Sequence, residues 1–402
     1  MEKDKKKRVV ITGTGILSPI GSEPGNYWKN LLDGKNGISD LELEHLSTCY
    51  TKKYGLLNQE EVCSLAEKYL SDEEKKMTNT TKYAMISAIM AADDAGINFD
   101  TFEDRMNTGV FIGTNQSDSY LLSEDEHNSS EDLFTVVPAV AEHFGIHGSS
   151  LLLSNACASG NHAIGIALEA IKSGKLDSAI AGGSESFAEY SYAGFVRLKG
   201  LSHDSIKPFD KNRNGTILSE GSAVLIMESL EHAEKRNAGI YAEVLGYGLS
   251  NDAYSIVAPD PSAAEVISAM EQAISKSGIK YTDVDVLSLH GTGTAANDAG
   301  EINAVGTVFK EHAPEIYATS IKSTLGHQIG AASAVSMATS VLMLRDGIVP
   351  PTMNVSDPED TGFHLVKDKA EKADINVIMN NAYAFGGSNC CVVIRKWNEE
   401  NE

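Results

Sequence analysis

The chain has 402 residues, of which 42% are hydrophobic, so it can bury one large core or two of medium size. Its formal net charge of −23 argues against nucleic acid and anionic membranes as general partners. No stretch approaches the roughly 20 apolar residues of a membrane span, and the charged start lacks the apolar part of a signal peptide, so we expect a cytoplasmic protein.

The first elements in chain order alternate between strand and helix, as in an α/β protein. We expect a buried strand over 9–12, a glycine-rich turn at 13–15, a helix over 81–95 and a strand over 108–112. The turn lacks the full spacing of a dinucleotide fingerprint and the lysine of a P-loop, so a plain turn is favoured over a phosphate site. The polar, acidic segment 114–133 predicts a surface loop without a catalytic group.

Cys157 is the most informative residue of the next unit. A short buried strand over 151–154 leads into a tight turn at 155–160, and a helix with one apolar face follows over 161–173. The thiol is thereby placed at a helix N-terminus, where the dipole and the unpaired backbone N–H groups favour the nucleophilic thiolate. A buried structural cysteine is the alternative, and the local pattern alone does not separate the two.

A second candidate lies in the C-terminal half, where an apolar strand over 284–289 ends in His290. The small residues 291–294 that follow permit close approach of a ligand to the backbone. A structural histidine is the common alternative at the end of a strand. Asp298 and Glu301 come next, one turn apart at a predicted helix start, where helix capping is favoured over direct chemistry.

A further strand, turn and helix mirror the unit around Cys157 and are predicted over 316–320, 321–327 and 330–344. The match suggests an internal duplication. We therefore expect two similar halves, 1–238 and 239–402, which place Cys157 and His327 at facing helix ends. A late glycine pair, Gly386 and Gly387, can point backbone N–H groups at a substrate oxygen, as an oxyanion hole requires.

One activated cysteine and two histidines at the ends of elements describe thioester chemistry, in which a thiolate takes an acyl group and imidazoles stabilise a carbonyl oxygen that becomes negative. The ordered set of motifs resembles the β-ketoacyl-acyl-carrier-protein synthases, the elongating condensing enzymes of the thiolase superfamily. The resemblance covers nearly the whole chain, with motifs at 9–13, 155–160, 207–213, 220–221, 290–294, 322–327 and 385–387. It implies an α/β thiolase fold, with duplicated halves in a five-layered αβαβα architecture.

The resemblance also implies the role of each site residue. Cys157 would be acylated from an acyl-carrier-protein thioester, and His290 and His327 would polarise the carbonyl of malonyl carrier protein while carbon dioxide leaves. The resulting enolate attacks the acyl-cysteine and gives a β-ketoacyl product. Lys322 would order the site electrostatically and keep His327 neutral. The backbone N–H groups of Cys157 and Phe385 would hold the oxyanion, and the gating loop would consist of Phe385, Gly386 and Gly387.

Several positions depart from the family pattern. Ser336 stands where a glutamate commonly pairs with the lysine, so Lys322 must find another partner, Glu301 or Asp298, or have a lowered pKa. Segment 114–133 is shortened, and four further departures are Asn297, Thr216, Ser219 and Ala384. Together these favour a specialised type II polyketide or polyene ketosynthase over primary fatty acid synthesis.

Carrier proteins are acidic, so an acidic synthase needs a local basic patch to dock one. Lys75, Lys76 and Lys207 occupy positions that resemble the docking residues of the family. Alternatively, the first two lysines only balance neighbouring carboxylates, Asp72, Glu73 and Glu74. We expect weak or unusually selective carrier recognition, and a homodimer or a heterodimer with a ketosynthase-like subunit.

Two other functions are alternatives. A thiolase-like enzyme acting on coenzyme A esters would need a second cysteine in its final glycine loop, and residues 385–388 supply none. A subunit that only sets chain length would lack the nucleophile, so the presence of Cys157 argues against this function. The chain could instead be the catalytic partner of such a subunit. The five cysteines have no metal-binding spacing and the two histidines have no accompanying ligand cluster, so no metal or organic cofactor is implied.

Overall fold

The computed structural model describes residues 7–41, 49–116 and 133–398. Its strands are β1 (Val9–Leu17), β2 (Ser39–Asp40), β3 (Lys53–Tyr54), β4 (Thr108–Gly113), β5 (Ser150–Leu153), β6 (Ser178–Glu185), β7 (Gly221–Ser229), β8 (Ala242–Asn251), β9 (Val286–Ser288), β10 (Tyr317–Thr319), β11 (Ile348–Val349), β12 (His364–Leu365), β13 (Glu371–Lys372), β14 (Val377–Tyr383) and β15 (Ser388–Lys396). Its helices are α1 (Pro24–Leu32), α2 (Gln59–Tyr69), α3 (Asn79–Ala95), α4 (Phe102–Met106), α5 (Val136–Phe144), α6 (Ser159–Lys172), α7 (Glu189–Arg197), α8 (Leu230–Lys235), α9 (Ala264–Ser277), α10 (Ala295–Phe309), α11 (Lys322–Leu325) and α12 (Ala332–Asp346). Within these described ranges, no helix combines the length and the apolar character that crossing a membrane requires.

The main sheet contains the same five-strand arrangement twice. One half has the order β5-β4-β6-β7-β1 and the other β10-β9-β14-β15-β8, and β12 extends the second half beyond β10. In each half the first three strands are parallel and the remaining pairs are antiparallel. A short pairing of β1 with β8, at Val10 and Ile11, joins the halves. The division between residues 238 and 239 stays a prediction.

Helices cover both half-sheets and fill the space between them. Helices α3 and α5 pack on the outside of the first half, α9 on the outside of the second with α10 against it, and α6 and α12 lie between the halves. The predicted αβαβα layers are therefore confirmed. Gly160 allows the two central helices to approach closely, because a Cβ atom there would lie 2.7 Å from the backbone nitrogen of Ala334.

The predicted turn at residues 13–15 is wrong, because β1 continues through it to Leu17. The glycines are required by packing: α3 crosses the strand so closely that a Cβ on Gly13 would lie 2.2 Å from the Ala91 carbonyl oxygen. A Cβ on Gly15 would lie 2.0 Å from the Ser87 carbonyl oxygen. Glycine is needed at these positions because a helix packs directly against the strand, and a close approach of another backbone is a common reason for glycine inside a strand.

Strand β5 was predicted to be buried and is not. It pairs only with β4 among the described residues and forms one edge of the main sheet, where Leu151 is 46% exposed. An apolar run of four residues fits either an edge or a central strand, because the pattern contains no information about which neighbours are present. The edge strand therefore leads directly into the turn that holds Cys157.

Candidate active site

Two strand-to-helix turns meet at the centre of the molecule. One joins β5 to α6 and contains Cys157, and the other joins β10 to α12 and contains Lys322 and His327. Each turn has a non-glycine residue with a positive φ, Ala156 at 47° and Ile329 at 43°. Such backbone conformations are costly for residues with a Cβ atom, especially for a β-branched one, and they cluster at functional sites.

The structure brings the predicted nucleophile and one predicted histidine into contact. The Sγ atom of Cys157 lies 3.1 Å from Nε2 of His327, and both side chains are buried. Burial raises the pKa of the thiol to about 11, although the Lys322 charge and the backbone N–H groups of Phe385 and of Cys157 itself favour the thiolate. Desolvation therefore opposes the helix terminus, which on its own favours the thiolate. The resting pair is a thiol beside an imidazole.

His290 lies beside His327, and their ring centroids are 5.5 Å apart in an edge-to-face arrangement. The Nδ1 atom of His290 is 3.5 Å from the ammonium of Lys322, which also donates to the His290 carbonyl oxygen at 2.6 Å. An ammonium can only donate, so this contact favours a lone pair on Nδ1 and the proton on Nε2. Burial, followed by the nearby positive charge, holds the pKa of both imidazoles well below the ordinary value.

The structure shows how Lys322 is accommodated although Ser336 stands where a glutamate partner was expected. Its ammonium is buried, bonds the His290 carbonyl oxygen, and has no carboxylate within ion-pair distance in the part of the chain that the structure describes. Burial lowers the pKa of Lys322 to about 8, and the charges of Glu301, Cys157 and Asp298 oppose that shift. Lys322 thus has both a lowered pKa and a backbone partner, while the carboxylates act on it through space.

Asp298 and Glu301 hold the loop that follows β9, whereas capping of α10 was the favoured interpretation. Glu301 accepts the N–H groups of His290 and Gly291, both at 2.8 Å. Asp298 accepts the N–H of Phe209 at 2.9 Å and that of Gly293 at 3.2 Å. Burial raises the pKa of Glu301 to about 7. The two carboxylates hold the loop that contains His290, and the sequence favoured capping instead because these partners lie outside the predicted helix.

Glu185, at the end of β6, is a further buried carboxylate, and its role was not predicted from the sequence. It accepts the Gly330 N–H at 2.8 Å, the Gln116 N–H at 3.0 Å and the Thr114 hydroxyl at 3.0 Å. Residues 114–116 are therefore mostly buried, contrary to the predicted surface loop, and 117–132 lie outside the described residues. Asn115 donates both to Glu185 and, at 2.9 Å, to the Ala156 carbonyl oxygen, so Glu185 is connected through Asn115 to the turn of Cys157 and directly to the turn of His327.

The glycine loop after β14 lies over the thiol. Phe385 is 39% exposed and stacks on Phe195 at a centroid distance of 5.4 Å. The N–H groups of Gly386 and Gly387 donate to the backbone carbonyls of Ile256 and Ala384, each at 3.0 Å. The backbone N–H of Phe385 is directed at Cys157 instead and favours its thiolate. An oxyanion hole at this position therefore uses the Phe385 N–H and not those of the glycine pair.

A cavity of about 280 Å³ connects these groups to the surface. Cys157, His290 and His327 line it, and Lys322 lies behind His290 and does not. The outer wall contains apolar side chains, among them Leu198 and Val257. The arrangement can acylate a sulfur, polarise a carbonyl with two neutral imidazoles and exclude most water.

Comparison with known proteins identifies the fold and the family. The model described as "Beta-ketoacyl synthase, N-terminal domain" matches residues 6–233, and "Beta-ketoacyl synthase, C-terminal domain" matches residues 241–356. The chain belongs to the β-ketoacyl synthase family. The family and the enzyme class predicted from the sequence are thereby confirmed.

Curated relatives resemble this β-ketoacyl synthase over nearly its whole length. The 3-oxoacyl-[acyl-carrier-protein] synthase 2 of Rhizobium meliloti strain 1021 is 34% identical over 418 residues and covers 97% of this chain and 99% of the relative. The Vibrio harveyi protein of the same name is 35% identical over 416 residues, with the same coverage.

Solved structures of ketosynthases share the fold. A type II polyketide synthase acyl-carrier protein in complex with its ketosynthase bound to the hexaketide contains a chain with a TM-score of 0.88 at 28% identity, covering 98% of this chain and 100% of that one. The ishigamide ketosynthase/chain length factor gives the same values. A β-ketoacyl synthase from Burkholderia phymatum STM815 has a TM-score of 0.87 at 27% identity, covering 98% of this chain and 100% of that one.

The three lysines predicted to dock a carrier protein are not among the residues that line the cavity. Each already bonds a carboxylate, and the pairs are Lys75 with Glu67 at 2.7 Å and Asp72 at 3.2 Å, Lys76 with Glu73 at 2.8 Å, and Lys207 with Asp204. The alternative to carrier docking, in which Lys75 and Lys76 balance neighbouring carboxylates, is thus observed at Asp72 and Glu73. Carrier docking by these lysines stays a prediction.

The Lys322→Met variant of this β-ketoacyl synthase should lose activity at a higher pH than the wild type as the medium is acidified. Without the buried cation, protonating His290 or His327 costs less, so the pKa of both imidazoles rises and their neutral fraction falls earlier. Burial, the larger cause, remains and limits the shift. Condensation rates measured across the acidic range test this prediction. Lys211→Met, which removes an exposed lysine paired with Asp357, should leave the profile unchanged.

Proposed function

We propose that this β-ketoacyl synthase condenses an acyl group held on Cys157 with malonyl carrier protein, losing carbon dioxide and forming a β-ketoacyl carrier protein. The observation that supports it best is the contact of 3.1 Å between the Cys157 sulfur and His327, in a cavity that also contains the neutral His290. The sequence-predicted roles of Cys157, His290, His327 and Lys322 are part of this proposal.

The first half-reaction transfers the acyl group to sulfur. His327 Nε2 is placed to accept the thiol proton as the sulfur attacks the thioester carbonyl. The N–H groups of Phe385 and Cys157 stabilise the negative oxygen of the tetrahedral intermediate. The bond to the carrier sulfur then breaks, and the departing thiolate takes the proton. The acyl group remains on Cys157 and the imidazole is neutral again.

The second half-reaction forms the carbon–carbon bond. The malonyl thioester oxygen accepts a hydrogen bond from His290 Nε2 and a second from His327 Nε2, after His327 has lost its Nδ1 proton to the solvent and taken one up on Nε2 during the carrier exchange. The bond to the carboxylate carbon breaks, its electrons form the enolate, and carbon dioxide leaves. The enolate carbon attacks the acyl-cysteine, the Cys157 sulfur departs as a thiolate, and it then takes up one proton from the solvent. Neutral imidazoles suit this step because they stabilise the developing charge without binding the carboxylate as ions would.

The acyl carrier protein is the proposed partner, and one solved neighbour is described as a ketosynthase in complex with such a protein. Besides Lys75, Lys76 and Lys207, two exposed cations, Arg197 and Lys199, flank Leu198 at the cavity mouth. Neither makes an ion pair within the described ranges. An acidic partner therefore gains more at this pair than at lysines it must first detach from carboxylates.

Charge reversal should separate the two docking surfaces. Arg197→Glu with Lys199→Glu is expected to raise the KM for acyl carrier protein about tenfold at low salt, and less at high salt, since steering by surface charge is screened. Lys75→Glu with Lys76→Glu and Lys207→Glu should have a smaller effect, because each lysine is already neutralised. Steady-state kinetics with a panel of carriers measures both. Undiminished transfer by both variants contradicts docking at either surface.

We further propose a dimer formed through the edge strand β5, as a homodimer or with a ketosynthase-like partner. Among the described residues the outer edge of β5 has no strand partner, and this edge and the exposed Leu151 are features that native proteins usually cover. A specialised type II polyketide or polyene pathway is the proposed setting, supported by the likeness to polyketide ketosynthases at a TM-score of 0.88 and by departures such as Asn297. The cytoplasmic location stays part of the proposal.

Reconstitution tests the proposed function. The purified enzyme, an acyl carrier protein loaded with a short acyl group and malonyl carrier protein should yield a carrier-bound 3-oxoacyl product longer by two carbons, with release of carbon dioxide. Mass spectrometry of the carrier detects the product. Release of carbon dioxide without an elongated product from any carrier in a panel would contradict the proposal.

A further inference from the structure

The cavity contains one hydroxyl whose role the proposed reaction leaves open. Thr216 lines the cavity, is 2% exposed, and its Oγ1 atom makes no hydrogen bond with any residue that the structure describes. A buried hydroxyl without a partner costs free energy unless a ligand or a water satisfies it. This unpaired donor is therefore a candidate for contact with the substrate.

The backbone places Thr216 between the two segments that bear the histidines. Gly215 donates its N–H to the Gly293 carbonyl oxygen at 3.1 Å, in the loop that follows His290. The carbonyl oxygen of Ile217 accepts the N–H of His327 at 2.7 Å. Thr216 lies between these two contacts in sequence, and its side chain lines the same cavity as both imidazoles.

The charges of the cavity make a neutral donor important. No lysine or arginine is among the described residues that line it, whereas Asp252, Asp260 and Glu301 are. A substrate carboxylate that enters therefore meets no cationic side chain at the wall. A neutral donor can orient the carboxylate without the strong ground-state stabilisation that an ion pair would provide, and that stabilisation would slow its conversion to carbon dioxide.

The other hydroxyls of the wall are placed differently. Those of Thr292 and Thr294 bond each other at 2.9 Å, which engages one of their two hydroxyl protons. The Tyr383 hydroxyl is directed at the Cys391 thiol, and its ring packs edge-to-face against His290 at a centroid distance of 5.6 Å. The thioester oxygens are already served by the imidazoles and by the N–H groups near Cys157, which leaves the carboxylate as the group without a donor.

We propose that the Thr216 hydroxyl donates a hydrogen bond to the carboxylate of the malonyl group and orients it for loss of carbon dioxide. This inference rests on the proposed function. The bond between the carboxylate carbon and the methylene carbon breaks, its electron pair forms the enolate, and carbon dioxide leaves uncharged. Thr216 keeps its proton throughout, so it is a substrate-binding residue and not an acid or base.

Thr216→Val, which keeps the shape and removes the hydroxyl, tests the proposal together with Thr216→Ser, which restores a donor. We expect kcat/KM for malonyl carrier protein to fall about tenfold or more in the valine variant and to recover most of that loss in the serine variant. The rate of acyl transfer to Cys157, which involves no carboxylate, should stay within about twofold in both, because a neutral packing change has little effect on it.

Three results would overturn the inference. They are an unchanged kcat/KM for malonyl carrier protein in the valine variant, an equal loss in the serine variant, and a parallel loss of acyl transfer, which would indicate a packing role. Failure of the wild-type enzyme to elongate any carrier-bound acyl group would overturn the proposed function itself, and the inference with it. The wild-type reaction and the variant ratios are separate measurements, so the two failures are distinguishable.

Discussion

Replacing Cys157 by alanine should reduce condensation by about 10⁴-fold or more, because loss of a covalent nucleophile removes the whole two-step route. The structure makes this residue hard to replace. Its sulfur is the group in contact with His327 Nε2 at 3.1 Å, and Ala156 holds the turn in a conformation with a φ of 47° that aims the next side chain at the cavity. Kinetics of carrier-bound product formation measures the effect.

Cys63→Ala is the matched control for the cysteine prediction. Cys63 is exposed on α2, so its loss should change neither the rate nor the number of acyl groups bound. An alanine variant at Cys157 that still elongates the substrate at the wild-type rate would contradict the nucleophile assignment. The predicted order of effects is a large loss at the buried thiol and none at the exposed one.

Alanine at either histidine should also have a large effect, but the two variants should fail at different steps. His290→Ala is expected to lower condensation by about 10²- to 10⁴-fold through loss of one donor to the enolate oxygen, and to leave acyl transfer nearly intact. His327→Ala should impair both steps, because His327 contacts the Cys157 sulfur and His290 does not. Acyl transfer measured separately from elongation distinguishes the two.

His364→Ala supplies the control for the histidine pair, since that side chain is 46% exposed and bonds only Glu371 at 2.8 Å among the described residues. Neither rate should change in this variant. Equal effects of His290→Ala and His327→Ala on acyl transfer would contradict the division of roles that the geometry supports.

Local sequence patterns predicted the elements that form around long apolar faces. Helix α3, the strand β4 and the helix α12 were found close to the predicted positions, because their periodicity depends on neighbours within the same segment. The errors occur where contacts with a segment distant in the chain determine the local structure. Gly13 lies in a strand, not in a turn, and its lack of a side chain is explained by the close approach of Ala91. Strand β5 is exposed because it lies at the edge of the main sheet.

The site was predictable to the extent that motifs fix residue types, and no further. The positions of Cys157, His290, Lys322 and His327 came from short motifs in which each residue is next to glycine or other small residues. The motifs did not predict that the pKa of Cys157 is raised, because the burial of a side chain depends on how the whole core is assembled. The contacts of Glu185 and the unpaired hydroxyl of Thr216 could not be predicted either, since the residues that surround them come from segments far apart in the chain.

The central claim is that one sulfur holds the acyl chain and releases it to malonyl carrier protein, and intact-mass analysis of the enzyme tests it most directly. After incubation with acyl carrier protein the wild-type mass should increase by one acyl group, the Cys157→Ala mass should not, and addition of malonyl carrier protein should return the wild-type mass to its starting value. An adduct that persists in the alanine variant, or one that malonyl carrier protein does not discharge, would contradict the account.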